Sequence, residues 1–401
     1  MAKRLRHIVC GMSGGVDSSV AAFLLKRQGH RVTGLFMKNW DSLDETGVCQ
    51  SDVDFEDAKY VCDKLHIPLY HVNFVQDYWH DVFANFLREY QTGTTPNPDI
   101  LCNKHIKFDK FLNYAVEEFQ ADALATGHYA RTDVGDDILY QRDAVANNGV
   151  KLLKGKDPLK DQTFFLSQIS QKALQKTLFP LGDLTKAEVR DIAMSAGLEK
   201  IVKRKESMGI CFIGNRKFQR FIQEYVEPNP GYFISVEDGK VVGQHNGCHL
   251  FTIGQRANIS GQKHAWFVAG KDADAQTVCV APNTYHPSLF CLTMVTGPLH
   301  WIHRVPEKLI YENKMQCMFR FQHIHVHPLV KCTVTLNEKK QGIISLAEPL
   351  RAVTPGQFAV LYQGEECLGG ARITSLGPSL YELDKLVPES CTEDYSINVT
   401  K

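Results

Sequence analysis

Across roughly the first 130 residues, short apolar runs alternate with segments whose apolar positions recur at helical spacing. HIVCGM reads as a strand, and Asp17 to Gln28, with Val20, Ala21, Leu24 and Leu25 on one face, as a helix. RVTGLFM follows as a strand, then DFEDAKYVCDKLHI as a helix with Asp54 at its N-cap. LYHVNF and ADALATGH read as strands, DYWHDVFANFLREY and FDKFLNYAVEEF as amphipathic helices. Alternation of this kind predicts an α/β fold, a parallel sheet with helices on both faces. Ligands in such sheets bind at the carboxyl ends of the strands. SGGVDS (13–18), Met37 and TGH (126–128) all fall at such ends, so they are expected to converge. One stretch, TGTTPNPDILCNKHIKF, breaks the pattern with two prolines and a glycine and is expected to be a loop.

Residues 160–226 read as mainly helical, interrupted by RKESMGICFIGNRKF. Beyond Pro228 the pattern changes to short strands, beginning with a hairpin, GYFISVEDGKVVG, that turns at Asp-Gly. From about 290 to 375, strands at short regular spacing predict an antiparallel barrel or sandwich. The expected division is 1–217 for the α/β domain, 218–286 for a small mixed domain, 287–385 for the barrel and 386–401 for a tail. No apolar run approaches the roughly 20 residues of a membrane-spanning helix, so no membrane partner is expected. The 12 cysteines include no C-x-x-C pair in this 401-residue chain. Reduced thiols are therefore expected, with neither a zinc site nor an iron–sulfur cluster. Formal net charge is zero, so a nucleic-acid partner would have to be held by local basic patches.

Within SGGVDS, Gly14 and Gly15 let the backbone approach an anion, and the following helix directs its N-terminal amides and dipole there. Ser13 and Ser18 add hydroxyls. Asp17 would repel bare phosphate, which points to magnesium between it and a nucleotide. The alternative reading of the loop alone is a tight turn capped by Asp17. With its neighbours it resembles the PP-loop of ATP pyrophosphatases, which cleave ATP between the α and β phosphates. Such a loop holds the departing pyrophosphate and needs no Walker lysine, which works at the β and γ phosphates.

Two cysteines stand apart from strand cysteines such as Cys10 and Cys332. Cys102 has Lys104, His105 and Lys107 close by, and Cys211 lies between two basic clusters. Nearby cations favour thiolate. Here the resemblance sharpens. MSGGVDSSVAA, FMKNWD, TPNPDILCNKHIKF, ATGHYAR, KDQTFFL, GICFIG, TIGQR, PGQFAV and CLGG occur in the order found in tRNA-specific 2-thiouridylases, across nearly the whole chain. KNWDSLDE and KESMGICFIG are closer to the mitochondrial branch than to the bacterial one, which implies a mitochondrial location, or a cytoplasmic one if bacterial.

The resemblance implies ATP-dependent 2-thiolation of the wobble uridine of tRNA, with magnesium, an upstream persulfide donor, and the tRNAs for Lys, Glu and Gln. Gly11, Met12, Ser13, Gly14, Gly15, Val16, Asp17, Ser18, Met37 and Gly127 would bind ATP. Asn97, Pro98 and Asp99 would hold the target base, with Asp99 a candidate for proton transfer. His128, Lys160, Asp161, Gln162 and Gln357 would contact tRNA. So would Arg320 and Phe321, although FRFQ replaces the bacterial Arg-Tyr-Arg. Cys211 would carry the persulfide and Cys102 would be the nucleophile. Two rival readings are an amidotransferase or synthetase that adenylates a carboxylate on the same loop, and a tRNA-binding module without chemistry.

Overall fold

The computed structural model describes residues 5–41, 49–204, 210, 212–213, 216, 218–322 and 328–386. Seven strands come from the first 180 residues: β1 (His7–Met12), β2 (Arg31–Lys38), β3 (Leu69–Asn73), β4 (Ala123–Ala125), β5 (Ala130–Thr132), β6 (Leu152–Lys154) and β7 (Thr177–Leu178). Five of them form a parallel sheet in the order β3-β2-β1-β4-β7. Ile8, Val9 and Cys10 of the central strand are all 0% exposed, as a strand covered on both faces requires. The edge strand β7 lies in the stretch expected to be mainly helical; two strand residues are too few to show a period of two.

Helix α1 (Val16–Arg27) starts immediately after the loop, with Gly15 at the N-cap and Asp17 in its first turn. An acidic first turn and a basic last turn, Lys26 and Arg27, both suit the helix dipole. Helix α2 (Gln50–Lys64) begins upstream of its expected start. Asp54 is thus inside it rather than capping it, and its carboxylate pairs with Arg204.

The clearest departure from expectation is TPNPDILCNKHIKF, which is helical. Asn97 caps it, its Oδ1 accepting from Ile100 N at 3.2 Å. Pro98 occupies the first helical position, where a missing N–H costs nothing. The helix runs from Pro98–Leu101 through a wider π-type stretch, Cys102–Lys110, kinks at Phe108 and continues as Phe111–Phe119. Cys102 is therefore a helical residue, 4% exposed, and not a loop cysteine.

The middle domain is a five-stranded sheet of β8 (Gly231–Ser235), β9 (Val241–His245), β10 (Arg256–Ala257), β11 (Trp266–Asp272) and β12 (Thr277–Ala281). Its small core is built on Phe233, Trp266, Val268, Val278 and Val280. The last domain contains β13 (Phe290–Pro298), β14 (His300–Trp301), β15 (Lys314–Arg320), β16 (Val330–Leu336), β17 (Gln341–Arg351), β18 (Phe358–Gln363) and β19 (Glu366–Leu376). Six of these follow the order β13-β17-β16-β15-β18-β19, and the C-terminal part of β19 pairs back with β13, closing a barrel. At its other end β19 pairs with β6, Cys367 opposite Leu152, so the β5–β6 hairpin of the first domain extends the barrel sheet.

Strand alternation decides what the barrel turns toward the α/β domain. Ala359 and Leu361 fill the barrel core, whereas Phe358, Val360 and Tyr362 join the core of the α/β domain. FRF obeys the same rule. Phe319 and Phe321 are 0% exposed inside the barrel, and Arg320 between them points the other way. Its guanidinium lies 3.7 Å from Asp161 and stacks over Tyr362. Asp161 also accepts from Gly155 N at 3.1 Å and from the Thr163 hydroxyl at 2.9 Å. Burial pushes its carboxyl up, opposed by these hydrogen bonds and by Arg320. The side chains of Arg320 and Asp161 are 3% and 2% exposed, so the two residues expected to touch tRNA are sealed in the domain seam. Phe321 is sealed in the barrel. Removing one member strands a buried charge, so Arg320→Ala should destabilise the protein by about 3–5 kcal/mol. Urea denaturation checks this, and a variant within about 0.5 kcal/mol of wild type would contradict it.

Candidate active site

The loop after β1 is closed tightly on its neighbours. Gly14 adopts φ +72, and a Cβ there would lie 2.4 Å from the Asp54 carbonyl oxygen. The Ser18 hydroxyl accepts from Ser13 N and donates to the Gly15 carbonyl, both at 3.1 Å, closing the loop on the first turn of α1. Gly127, at the end of β4, presses against the same turn: a Cβ would come within 2.7 Å of Ser18 N. These contacts explain why small residues stand at 14 and 127.

Below this loop is a cavity of about 390 Å³ at the carboxyl edge of the sheet. Gly11, Met12, Ser13, Asp17, Ser18, Met37, Gly127, His128 and Gln162 all line it, so the expected convergence holds. Gly14, Gly15 and Val16 complete the loop behind them. Ile210 and Phe212 also face the cavity. Phe212 is 1% exposed and packs edge-on against Phe83 and Phe86, anchoring the chain beside position 211. Cys211 itself lies outside the described residues.

Asp17 already faces a cation. Lys186 Nζ lies 2.7 and 2.8 Å from its two carboxylate oxygens, and the Tyr129 hydroxyl donates to one of them at 2.7 Å. Lys186 is the first residue of the helix Lys186–Ser195, which starts with a capping box of Thr185 and Glu188. Sequence reading missed this lysine; the signal that could have exposed it is the capping box, which fixes where the helix begins. Among the described residues no three acidic, His or Cys groups cluster to hold a metal. Asp17 offers one carboxylate, which suits magnesium arriving with phosphates better than a resident metal in a protein cage.

Lys107 also lines the cavity. It opposes the burial that raises the Asp99 carboxyl. With burial, which is the larger cause, it holds His128 well below the usual imidazole range, so this ring is neutral near pH 7. His128 Nδ1 bonds the Thr126 hydroxyl at 2.8 Å. Asn39 lines the same cavity, and its Oδ1 is buried without a partner among the described residues, a further acceptor the sequence did not flag. Gln162 lines the cavity while its Oε1 accepts from Tyr129 N at 3.0 Å. The half-buried Lys160 belongs to the same segment. Asn97, Pro98, Asp99 and Cys102 share the start of one helix outside the nucleotide cradle.

A raised carboxyl next to a lysine makes a pH prediction. As a base Asp99 would work deprotonated, and the rate would then rise as pH climbs through its pKa. Lys107→Met removes the charge that lowers this pKa, so the acid limb should move to higher pH. An unmoved limb in a pH–rate profile would detach Asp99 from the rate.

Fold and cavity together define a nucleotide-binding α/β domain with two β-rich domains fused behind it. Family models match along the same divisions: the tRNA methyl transferase HUP domain over residues 6–215, its PRC-barrel domain over 219–282, and an aminomethyltransferase beta-barrel domain over 292–373. Mitochondrial tRNA-specific 2-thiouridylase 1 of Gallus gallus is 52% identical, covering 95% of this chain and 94% of that protein. Its Homo sapiens counterpart is also 52% identical, over 95% and 93%. tRNA-specific 2-thiouridylase MnmA of Streptococcus sanguinis is 46% identical, over 92% and 95%. The chain belongs to the tRNA-specific 2-thiouridylase family.

Proposed function

We propose that the protein is an ATP-dependent tRNA-uridine 2-sulfurtransferase acting on the wobble uridine. The observation that carries this is one cavity shared by the lysine-free phosphate loop, the neutral His128 and the chain on both sides of Cys211. The family-model names speak of methyl transfer, but a nucleotide cradle beside a cysteine-bearing segment suits adenylation and sulfur transfer.

ATP lies with its phosphates on residues 13–18 and Lys186 close to them, supplying from elsewhere in the chain the cation that the loop lacks. Magnesium, when bound with the nucleotide, neutralises phosphate charge. Asp99 takes the N3 proton of the uridine as O2 attacks the α-phosphorus and pyrophosphate leaves. A Cys211 persulfide, loaded by an upstream donor, is attacked at its inner sulfur by Cys102. That forms a Cys102–Cys211 disulfide and frees hydrosulfide, which adds at C2. AMP then departs with the original oxygen and 2-thiouridine remains. A thiol reductant restores both cysteines. Lys160 and Gln162 face the tRNA, which by family likeness includes those for Lys, Glu and Gln. The names of the animal relatives support a mitochondrial location.

The test is product analysis with ATP, tRNA and a persulfide donor. AMP, pyrophosphate and 2-thiouridine in equal amounts are expected. ADP as the main product defeats the reading. AMP formed only with a carboxylate substrate favours a synthetase, and tRNA binding without AMP favours a binding module.

A further inference from the structure

Gln357 sits between β17 and β18, on the barrel loop that meets the α/β domain. Its amide nitrogen donates to the carbonyls of Thr95 at 2.9 Å and Pro96 at 3.2 Å, and its oxygen accepts from Asn97 Nδ2 at 3.2 Å. A flipped amide would set oxygen against two carbonyls and NH₂ against NH₂, so these partners dictate its orientation. Around it the contact is close. Thr95 N donates to Pro355 O at 3.0 Å. Gly356, at φ +97, leaves no space for a side chain, because a Cβ would lie 2.7 Å from Thr95 N. Arg372 adds a bond to the Thr94 hydroxyl at 3.1 Å and an ion pair with Glu89 at 2.8 Å.

Asn97, held by Gln357 through one end of its amide, uses the other end to cap the helix that presents Asp99 and Cys102. We infer that Gln357 is a positioning residue: from the barrel it sets the entry angle of the helix that presents Asp99 and Cys102. It does so in place of the direct RNA contact that family likeness suggests, since both amide hydrogens are spent inside the protein. The barrel and the helix start are thereby held in one geometry. The inference rests on the proposed thiolation, but one of its tests does not.

That test is hydrogen exchange of the full-length protein without ATP or tRNA. Gln357→Met keeps length and removes the donors, and should speed exchange of the Ile100 and Leu101 amides, both bonded to Asn97, by about tenfold, the loss of one to two hydrogen bonds on opening. Unchanged exchange overturns the inference, whether or not thiolation is the reaction. The second test is kinetic. At saturating tRNA, AMP formation in Gln357→Met should fall about ten- to a hundredfold from misplacement alone, with tRNA Kd and its salt slope unchanged. Gln357→Glu, which sets a carboxylate against two carbonyls, should be worse than Met. A weakened Kd at an unchanged saturated rate overturns the inference and returns Gln357 to the RNA surface; Glu outperforming Met overturns it too. A wild-type protein that forms no AMP defeats the proposed function and leaves the exchange result to judge the helix.

Discussion

Lys186→Ala should lower AMP formation by about 10²–10³-fold, the usual cost of deleting one preorganised group facing developing charge. The lysine lies against both oxygens of Asp17, with its side chain 12% exposed, so little solvent is present to replace it. Lys186→Arg should restore part of the rate, because the charge is kept while the fork geometry differs. Binding of tRNA should hold, since the pair faces the nucleotide. Single-turnover AMP release, with a melting curve as control for folding, decides the point. A rate within a factor of a few of wild type would reduce Lys186 to a counter-ion.

Cys211→Ser should abolish thiolation entirely, because a hydroxyl cannot carry a sulfane sulfur. Cys102→Ser should also end thiolation yet still accumulate a persulfide on Cys211, because loading precedes its step. AMP formation needs neither thiol and should survive in both variants. The helical setting of Cys102 changes what is expected of its reactivity. At 4% exposure it is closed to bulk solvent, so alkylating reagents should label it slowly without tRNA and faster with it. Peptide mass spectrometry after treatment with a sulfur donor reads every arm. Persulfide on another cysteine, or normal thiolation by Cys102→Ser, defeats the two-cysteine mechanism.

Much of this site is legible in the chain because its geometry is local. A strand, two glycines and a helix start within a few residues dictate an anion cradle, and Met37 and Gly127 follow from where parallel strands end. Helical spacing located α1 for the same reason. What failed was also local. Two prolines were read as breaking TPNPDILCNKHIKF, when Asn97 as cap and Pro98 as first residue begin a helix. The competing rule was present, because proline punishes a helix interior and suits its first turn.

Other features depend on residues far apart, which no window of sequence contains. Lys186 reaches Asp17 across 169 positions, and Gln357 reaches Asn97 across 260. Arg320 looked like a surface cation until the barrel closed and the period of two turned it onto Asp161. The glycine turn into α1, the parallel sheet and the barrel strands are readable along the chain, because short-range sterics and apolar periodicity specify each one. Which charges meet is settled by the packed fold, since a charge pairs with whatever the packing of apolar faces places beside it.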